Sequence, residues 1–577
     1  MSNLINYYLE KKDYIQLSFI LLILILFILI IDPSGEFPFG DDVFFIKPVK
    51  ILLDEGRLTI TDWTSMTLIM HILIGAFVTK LFGFSIFTLR LITIFFHIIG
   101  VCGFYKLLKS FTNKNFILLF ATFLFAFHPI YYLISFSYNT DVCFTAFSIW
   151  TFIFYLKFLQ HEKITNLIYA VILNIISILV RDIALFYPLA FLIVFLLKEK
   201  IDIQKNPEIK KLIGKRFKYF LIALAPICFA CLSYLIFKIW LNSLPHYPAA
   251  MDFSKNKFLD VWTRNIVYTL IIYGKNLIYT TIYFGFFISP LTILYLKNKY
   301  ALKIKYSIII IFSLTCLFLL IISLIEPKIY DSLTGLLIST HNLHNFYFSD
   351  IHEPSRNYIF TFPIWLTAIY LIFGLASGII LIYWLVNFII YDMKIKKIGK
   401  NDFQKLKYLF LILNLLLYLF PTYSMIIFNR YLILPSVIII ILIIGISSNK
   451  IVVSRNMKII SSIFLLLLTY YSVSAAKDMM NYNRTNLEAI NYLEITLKIK
   501  ASQIDGGFEF NAWNFYDNNY KMMPNKNWWW VKDDEYKISW GECKNYSVLK
   551  VYEYLKWFPP GFKSKIFILK RNKSISY

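Results

Sequence analysis

Long apolar runs separated by short gaps rich in Lys and Arg follow one another along this chain to about residue 475. The first, Ile15 to Ile31, is preceded by Lys11 and Lys12 and ends in Asp32-Pro33-Ser34-Gly35 with no small-residue cleavage pattern. It reads as an uncleaved signal anchor with its N-terminus in the cytoplasm. Further runs of bilayer-crossing length fall near 88–106, 115–134, 142–158, 166–181, 183–197, 218–240, 276–296, 306–325, 363–390, 408–427, 431–447 and 458–475. With the first they predict about 13 transmembrane helices. Met66 to Phe82 is also long enough to be taken for a span. Were it one, Lys106, Lys109, Lys114 and the basic group from Lys198 to Lys218 would face outside, against the positive-inside rule. It is therefore read as a surface or re-entrant helix. The basic groups Lys297 to Lys305, Lys394 to Lys407 and Lys450 to Lys458 then lie inside. Segments 32–87, 241–275 and 326–362, and everything after about Ala476, lie outside.

The pattern changes at residue 477. Asn, Lys, Trp and Tyr increase and the long apolar runs stop, so 1–476 reads as a membrane domain and 477–577 as a small soluble outer-face domain. Gly506-Gly507, between Ile504 and Phe508, predicts a strand with a tight backbone feature. Val548 to Leu555 reads as a helix or strand and Ser564 to Lys570 as a terminal strand, which makes the tail α/β. Trp528, Trp529 and Trp530 have three readings: stacking on sugar rings, anchoring at the lipid interface, or filling the core.

Composition agrees with the pattern. Of 577 residues 58% are hydrophobic and 19% aromatic, and the mean hydropathy is +0.63, well above the roughly half apolar content of a soluble domain. The formal charge of +24 comes from Lys and Arg gathered in the gaps between apolar runs, with no basic stripe interleaved with aromatics. That is topology and contact with anionic lipid, and it argues against nucleic acid as a partner. Five of the six cysteines, Cys102, Cys143, Cys228, Cys231 and Cys316, lie in apolar segments, so no disulfide framework or zinc site follows. Cys228 and Cys231 form a C-x-x-C that reads as packing within a helix.

Candidate chemistry gathers at the outer face. The stretch Phe37 to Trp63 carries adjacent carboxylates, Asp41 and Asp42, just past the first span, followed by Val43 to Leu53 with the apolar spacing of a short surface helix. Alone the pair is equally a turn or a helix N-cap. Asp141, in Ser137-Tyr138-Asn139-Thr140-Asp141, is placed to N-cap the helix it starts. Arg181-Asp182 sits between two short apolar segments, where a local ion pair is the plain reading. Asn429-Arg430-Tyr431 has the same placement between two later spans. Together these three sites are more than caps require, and they suit a cavity for a phosphate-bearing head group.

The order of these pieces carries a resemblance. An acidic pair after the first span is followed by LFGFSIFTLRL (81–91), SFSYNTDVCF (135–144), Arg181-Asp182 with a proline at 188, and NRYLILP (429–435). The set resembles the GT-C glycosyltransferases of the protein-mannosyltransferase and aminoarabinose-transferase type, often grouped as glycosyltransferase family 39. IDGGFEFNAW (504–513) is similar to segments of the outer domains of bacterial members. The resemblance implies a polytopic α-helical GT-C fold in the cytoplasmic membrane. It implies transfer of a sugar from a polyprenyl-phosphate donor to an acceptor on the outer side, with inversion at the anomeric carbon. Lipid A, another glycolipid, a polysaccharide or a protein would serve as acceptor. It makes Asp41 the base and Asp42 an acid that orients acceptor or loop. Asp141 becomes a second outer-boundary carboxylate, and Arg181 and Arg430 the phosphate ligands.

One stretch departs from the pattern. Relatives carry Lys or His before Pro-Pro or Lys-Pro at the start of the surface helix, where this chain has TDWTSMTLIMH. His71 on that helix is either a phosphate contact or a polar interface residue.

Two further readings stand beside the transferase. A transporter or flippase for lipid-linked sugars explains the spans, but paired half-helix interruptions are not visible in the sequence. A polysaccharide polymerase or ligase is suggested by the 326–362 segment, with His341, His344, His352 and Arg356. No pair of those histidines has i, i+4 spacing, so no cofactor is assigned and a divalent metal stays open.

Overall fold

The computed structural model describes residues 2–205, 213–296, 364–389, 403–425, 427–448, 453–517 and 530–572. The helices of the first half are α1 (Ser2–Ile31), α2 (Val43–Glu55), α3 (Ile69–Phe82), α4 (Ile86–Lys109), α5 (Asn115–Ala126), α6 (Pro129–Ile134), α7 (Thr140–His161), α8 (Ile164–Val180) and α9 (Tyr187–Lys205). They continue with α10 (Ile213–Asn242), α11 (Ala249–Thr263), α12 (Ile266–Phe287), α13 (Ser289–Tyr295), α14 (Ile364–Asn387), α15 (Phe403–Tyr423), α16 (Ile433–Ser448), α17 (Arg455–Asn491) and α18 (Phe508–Phe515). Among the described residues six helices are long and apolar enough to cross a bilayer, and α12 with α13 makes a seventh across a bend of 69°. Helices serve here because lipid offers no partner for a backbone N–H or C=O, so each segment must satisfy its own. Burial places them: 78% of the apolar window of α7 is buried against 22% for α1. α7 is therefore the centre, packed on α4, α8 and α16, while Phe19, Leu22, Leu26 and Leu29 of α1 face outward.

Several expectations are corrected. The run 115–134 is not one continuous helix, because it breaks at Phe127-His128 and restarts at Pro129, which supplies a fixed φ and no N–H to the new first turn. The run 276–296 bends at Ile288, one residue before the Ser289-Pro290 start of α13. These are helix interruptions that the apolar pattern conceals, and they meet: His128 Nε2 lies 3.4 Å from Tyr283 Oη. α17 satisfies backbone at both, Ser472 donating to Phe127 O at 2.7 Å and Ser461 donating to Pro290 O. α17 also runs unbroken through 476–477, where the composition shifts, to Asn491. The expected span 306–325 and the 326–362 segment with its histidines lie outside the described residues.

Met66 to Phe82 contains α3, and both ends of α3 are held at the same end of the bundle. Leu68 N donates to Val180 O at 3.2 Å, and beyond Gly83 the first N–H groups of α4 meet Glu36 of the loop that follows α1. The helix thus returns to the side it starts from. Cys228 and Cys231 are exposed on α10, where lipid would cover them.

Beyond α17 the chain forms a four-stranded sheet, β1 (Ile504–Asp505), β2 (Tyr536–Ser539), β3 (Tyr546–Leu555) and β4 (Lys563–Arg571), in the order β1-β2-β4-β3. β1 is parallel to β2 and the other neighbours are antiparallel. Val548 to Leu555 is thereby strand rather than helix. Ile504, Ile566 and Ile568 pack on Ala489 and Leu493 at the far end of α17, so the sheet is carried on the helix that leaves the membrane body.

α12 and α14 approach most closely at glycines. A Cβ on Gly378 would stand 2.2 Å from Thr281 O, and one on Gly285 would stand 1.8 Å from Gly374 O. Backbone cannot yield there as a side chain would, so close packing of small residues is the contact itself. Gly378→Ala is expected to separate the two helices and cost roughly 1–3 kcal/mol, whereas Gly274→Ala, with nothing within 4 Å, should be neutral or better. Melting curves of the purified variants check the contrast.

Candidate active site

The loop after α1 is built before it carries chemistry. Buried Arg90, from LFGFSIFTLRL, donates to the carbonyls of Pro33 (2.6 Å), Gly35 (3.0 Å) and Phe37 (2.8 Å). Its guanidinium lies 4.6 Å from the centre of the Phe37 ring. Glu36 accepts from Ile86 N and Phe87 N at the start of α4, where a carboxylate also suits the helix dipole. The chain then enters a 3-10 turn, Gly40–Asp42, with Gly40 in the left-handed region at φ 56°.

The two carboxylates of that turn are divided in role by burial. Asp42 is 1% exposed, with Oδ1 accepting from Phe39 N at 2.5 Å and Oδ2 from Tyr138 N at 3.1 Å. Burial pushes its carboxyl up to about 8, against the pull of those two donors and of Arg90. It clips the turn to the α6–α7 junction. Asp41, by contrast, has a side chain 25% exposed. Its Oδ2 takes a bond from Arg430 at 2.8 Å and its Oδ1 one from Trp63 Nε1 at 3.3 Å.

Arg430 links this turn to the bundle interior. It lies on the 3-10 turn Asn429–Leu432 between α15 and α16, and its Nε is 3.6 Å from Asp141 Oδ2. Asp141 in turn binds Arg181 at 2.7 Å, and Arg181 also donates to Thr140 Oγ1 at 3.2 and 2.9 Å. The Tyr431 ring covers Arg181 at 5.1 Å. Four elements far apart in sequence thus place Asp41, Arg430, Asp141 and Arg181 in one row, and Asp41 is its most exposed member.

Two local readings change. Asp141 is not the N-cap of α7: Asn139 is, its side chain accepting from Asp141 N at 2.9 Å, which frees the Asp141 carboxylate for arginine. The ion pair of Arg181 is with Asp141, forty residues back in the chain, rather than with its neighbour Asp182. His71 is not brought into the row. It is buried under Tyr138, rings stacked at 4.0 Å, with Nε2 3.5 Å from Tyr138 O. That is the polar-interface reading of this residue.

Trp63, Thr140, Arg90 and Glu509 belong to the surroundings of the site and were not singled out by pattern. Arg90, Thr140 and Glu509 lie within stretches that carry the resemblance and Trp63 in the one that departs from it, but nothing in their spacing says which groups they meet. Glu509, in α18, accepts from Gly40 N at 3.0 Å. Burial, then the nearby charge of Asp41, pushes its carboxyl upward, against its own backbone N–H and that of Gly40. Trp530 is 3% exposed and packs with Phe44, Trp63, Phe508 and Tyr516 at ring separations of 5.2 to 5.9 Å. For Trp530 the core-filling reading holds, while Trp528 and Trp529 lie outside the described residues.

Among the described residues no three His, Cys, Asp or Glu side chains converge as metal ligands. Asp41 and Asp141 each face guanidinium groups, a charge balance that does not fit a divalent cation between them.

Residues 69–234 match the family model described as dolichyl-phosphate-mannose-protein mannosyltransferase. The matched stretch runs from α3 into α10 and contains Asp141 and Arg181. The chain resembles GT-C glycosyltransferases of this type, on the motifs and on this match alike. Among solved structures, it is similar to the crystal structure of ArnT from Cupriavidus metallidurans bound to undecaprenyl phosphate, with 10% identity, 84% of this chain and 81% of that one covered, and a TM-score of 0.33. The apo state of the same protein gives 11% identity, coverage of 85% and 83%, and a TM-score of 0.31. No curated protein matches significantly.

Asp42→Ala leaves the N–H groups of Phe39 and Tyr138 buried without acceptors. A loss of about 2–4 kcal/mol is expected, read as a lowered melting temperature, with Asp42→Asn milder because its remaining carbonyl oxygen still accepts.

Proposed function

We propose that this chain is an integral membrane glycosyltransferase that moves a hexosyl or pentosyl unit from a polyprenyl-phosphate donor to an acceptor hydroxyl. The reaction takes place on the outer side of the cytoplasmic membrane and inverts the anomeric carbon. The observation that supports this most is the pairing of partly exposed Asp41 with Arg430 in the row that continues to Asp141 and Arg181. In a single displacement Asp41 takes the proton of the acceptor hydroxyl as its oxygen bonds to the anomeric carbon. The bond from that carbon to the phosphate oxygen breaks, and its electron pair leaves with the phosphate. Arg430 and Arg181 are the cations to meet the charge that grows there. Asp141, between them, sets their positions. The acceptor is a glycolipid such as lipid A, a polysaccharide or a protein.

The outward orientation is supported by where the cations fall. Lys109 pairs with Asp13, Lys407 reaches Ser110 O, and Lys458 lies 5.2 Å from the centre of the Phe116 ring, all at the opposite end from Asp41. The positive-inside rule puts that end in the cytoplasm. In a chain stripped of native cysteines, Ser502→Cys should react with an impermeant maleimide from outside and Asn113→Cys only after permeabilisation. The reverse result would invert the assignment.

A carrier for lipid-linked sugars is the second reading, and the observation on its side is the meeting of two broken helices at His128 and Tyr283. The two diverge at Asp41. Asp41→Asn preserves size and cannot take a proton, so sugar transfer should fall by roughly 10² to 10⁴ with donor binding intact. Transfer by Asp41→Asn at the parent rate would remove Asp41 as the base, whereas no transfer by the purified parent chain would favour the carrier.

For the phosphate, Arg181→Lys and Arg430→Lys keep the charge but lose the planar fork. Each should weaken binding of undecaprenyl phosphate by roughly tenfold, measured by titration of the purified protein.

A further inference from the structure

IDGGFEFNAW (504–513) has no part in the transfer step, and the structure explains its residues one by one. β1 ends at Asp505, and Gly507, at φ 89°, turns the chain straight into α18. The turn is locked by Asn511, whose Nδ2 donates to Asp505 Oδ1 at 2.9 Å and whose Oδ1 accepts from Gly506 N at 3.3 Å. Asn511 and Asp505 are both buried. Gly506 admits no side chain, since a Cβ there would meet the Phe510 ring at 2.6 Å. What this strand-turn-helix presents, from the first turn of α18, is Glu509, bonded to Gly40 N.

The Asp41 turn is thereby bracketed. Asp42 takes the N–H of Phe39 and Glu509 takes the N–H of Gly40, so the two amides preceding Asp41 are each held by a carboxylate, one from the turn and one from the tail. A second tie comes through Trp63, whose indole donates to Asp41 Oδ1. Its ring lies 5.8 Å from both Phe508 and Trp530. Both supports of Asp41 on its exposed side therefore lean on residues beyond 500.

We propose that the C-terminal segment is a working part of the catalytic centre, with Glu509 as the positioning residue that fixes the Asp41 turn through the Gly40 amide. This rests on the transferase reading above. A base must stand within a fraction of an ångström of its productive place, and a misplacement of about 1 Å costs on the order of 10²-fold. Gly40, in the left-handed region and free of a side chain, would not hold that place by itself.

The test uses the full-length protein in lipid nanodiscs with Glu509→Ala, which removes the acceptor, and Glu509→Gln, which keeps an acceptor oxygen. Turnover is measured with a membrane lipid extract as source of donor and acceptor, binding with undecaprenyl phosphate alone, and the turn itself by hydrogen exchange of the Gly40 amide. Glu509→Ala should lose the protection of Gly40 and roughly 10- to 100-fold in turnover, with undecaprenyl phosphate affinity within about twofold of the parent. Glu509→Gln should restore the protection and most of the turnover. If the alanine variant does not melt cooperatively, Glu509→Asp, which withdraws the oxygen by one carbon–carbon bond, carries the same expectation. Unchanged Gly40 exchange, or unchanged turnover in the folded variant, overturns the proposal. So does an equal fall of turnover and melting temperature in the alanine and glutamine variants. No sugar transfer by the parent chain overturns the transferase reading and this one with it, and an Asp41→Asn chain as active as its parent removes Asp41 as the base and so the reason to position its turn. A slow Asp41→Asn beside a normal Glu509→Ala overturns this one alone.

Discussion

The buried pairing of Asp141 with Arg181 is the constraint on which the Asp41 end of this bundle depends. An ion taken out of water costs several kcal/mol unless its partner stands in good geometry. Here Asp141, 3% exposed, has Arg181 at 2.7 Å and Arg430 at 3.6 Å. The start of α7, the end of α8 and the turn before α16 must therefore converge. Both guanidiniums meet the same oxygen, Asp141 Oδ2, and the row ends at Asp41, where exposure begins. Removing any inner member would strand its neighbour's charge in a dry place, so the same contacts that hold the helix ends also set where Asp41 stands.

The second support is α17, which does different work along its length. Ser461 and Ser472 satisfy carbonyls at the two helix breaks. Farther on, Lys477 Nζ donates to Ile30 O and Ile31 O at 3.0 and 3.2 Å, capping the last turn of α1, and Arg484 pairs with Asp32 at 3.0 Å. Its last turns carry the sheet. The sheet's leading helix then returns to the loop after α1, so membrane body and tail form a closed circuit through the Asp41 turn. Asp478 adds two bonds at the same boundary, accepting from Trp557 N and Phe558 N.

Much of the architecture was legible from pattern because it rests on short-range rules. A bilayer demands long apolar helices, and basic gaps mark one side, so α1, α4, α7, α15 and the reading of α3 as a surface or re-entrant helix follow from runs of residues and counts of charge. The terminal strand at Lys563–Arg571 and the turn at Gly506-Gly507 are local as well, whereas pattern left Val548 to Leu555 open between helix and strand. The helix breaks at His128 and Ile288 were not legible, because an apolar run reads alike whether its helix is whole or broken. What repairs those breaks is a pair of serines 171 and 345 residues away in the chain.

At the site the division has the same cause. That carboxylates and arginines gather at one end of the bundle was expected from the sequence alone, since each sits at the boundary of an apolar run. So was the candidacy of Asp41, Asp141, Arg181 and Arg430. Only the tertiary structure decided who partners whom. It gave Asp141 to Arg181 instead of to a helix cap, turned Asp42 inward as a clip, and buried His71 beneath Tyr138. It also brought Glu509 to Gly40 across 469 positions of chain. Ion pairs and hydrogen bonds act over about 3 Å of space irrespective of sequence separation, so no periodicity in the chain encodes them.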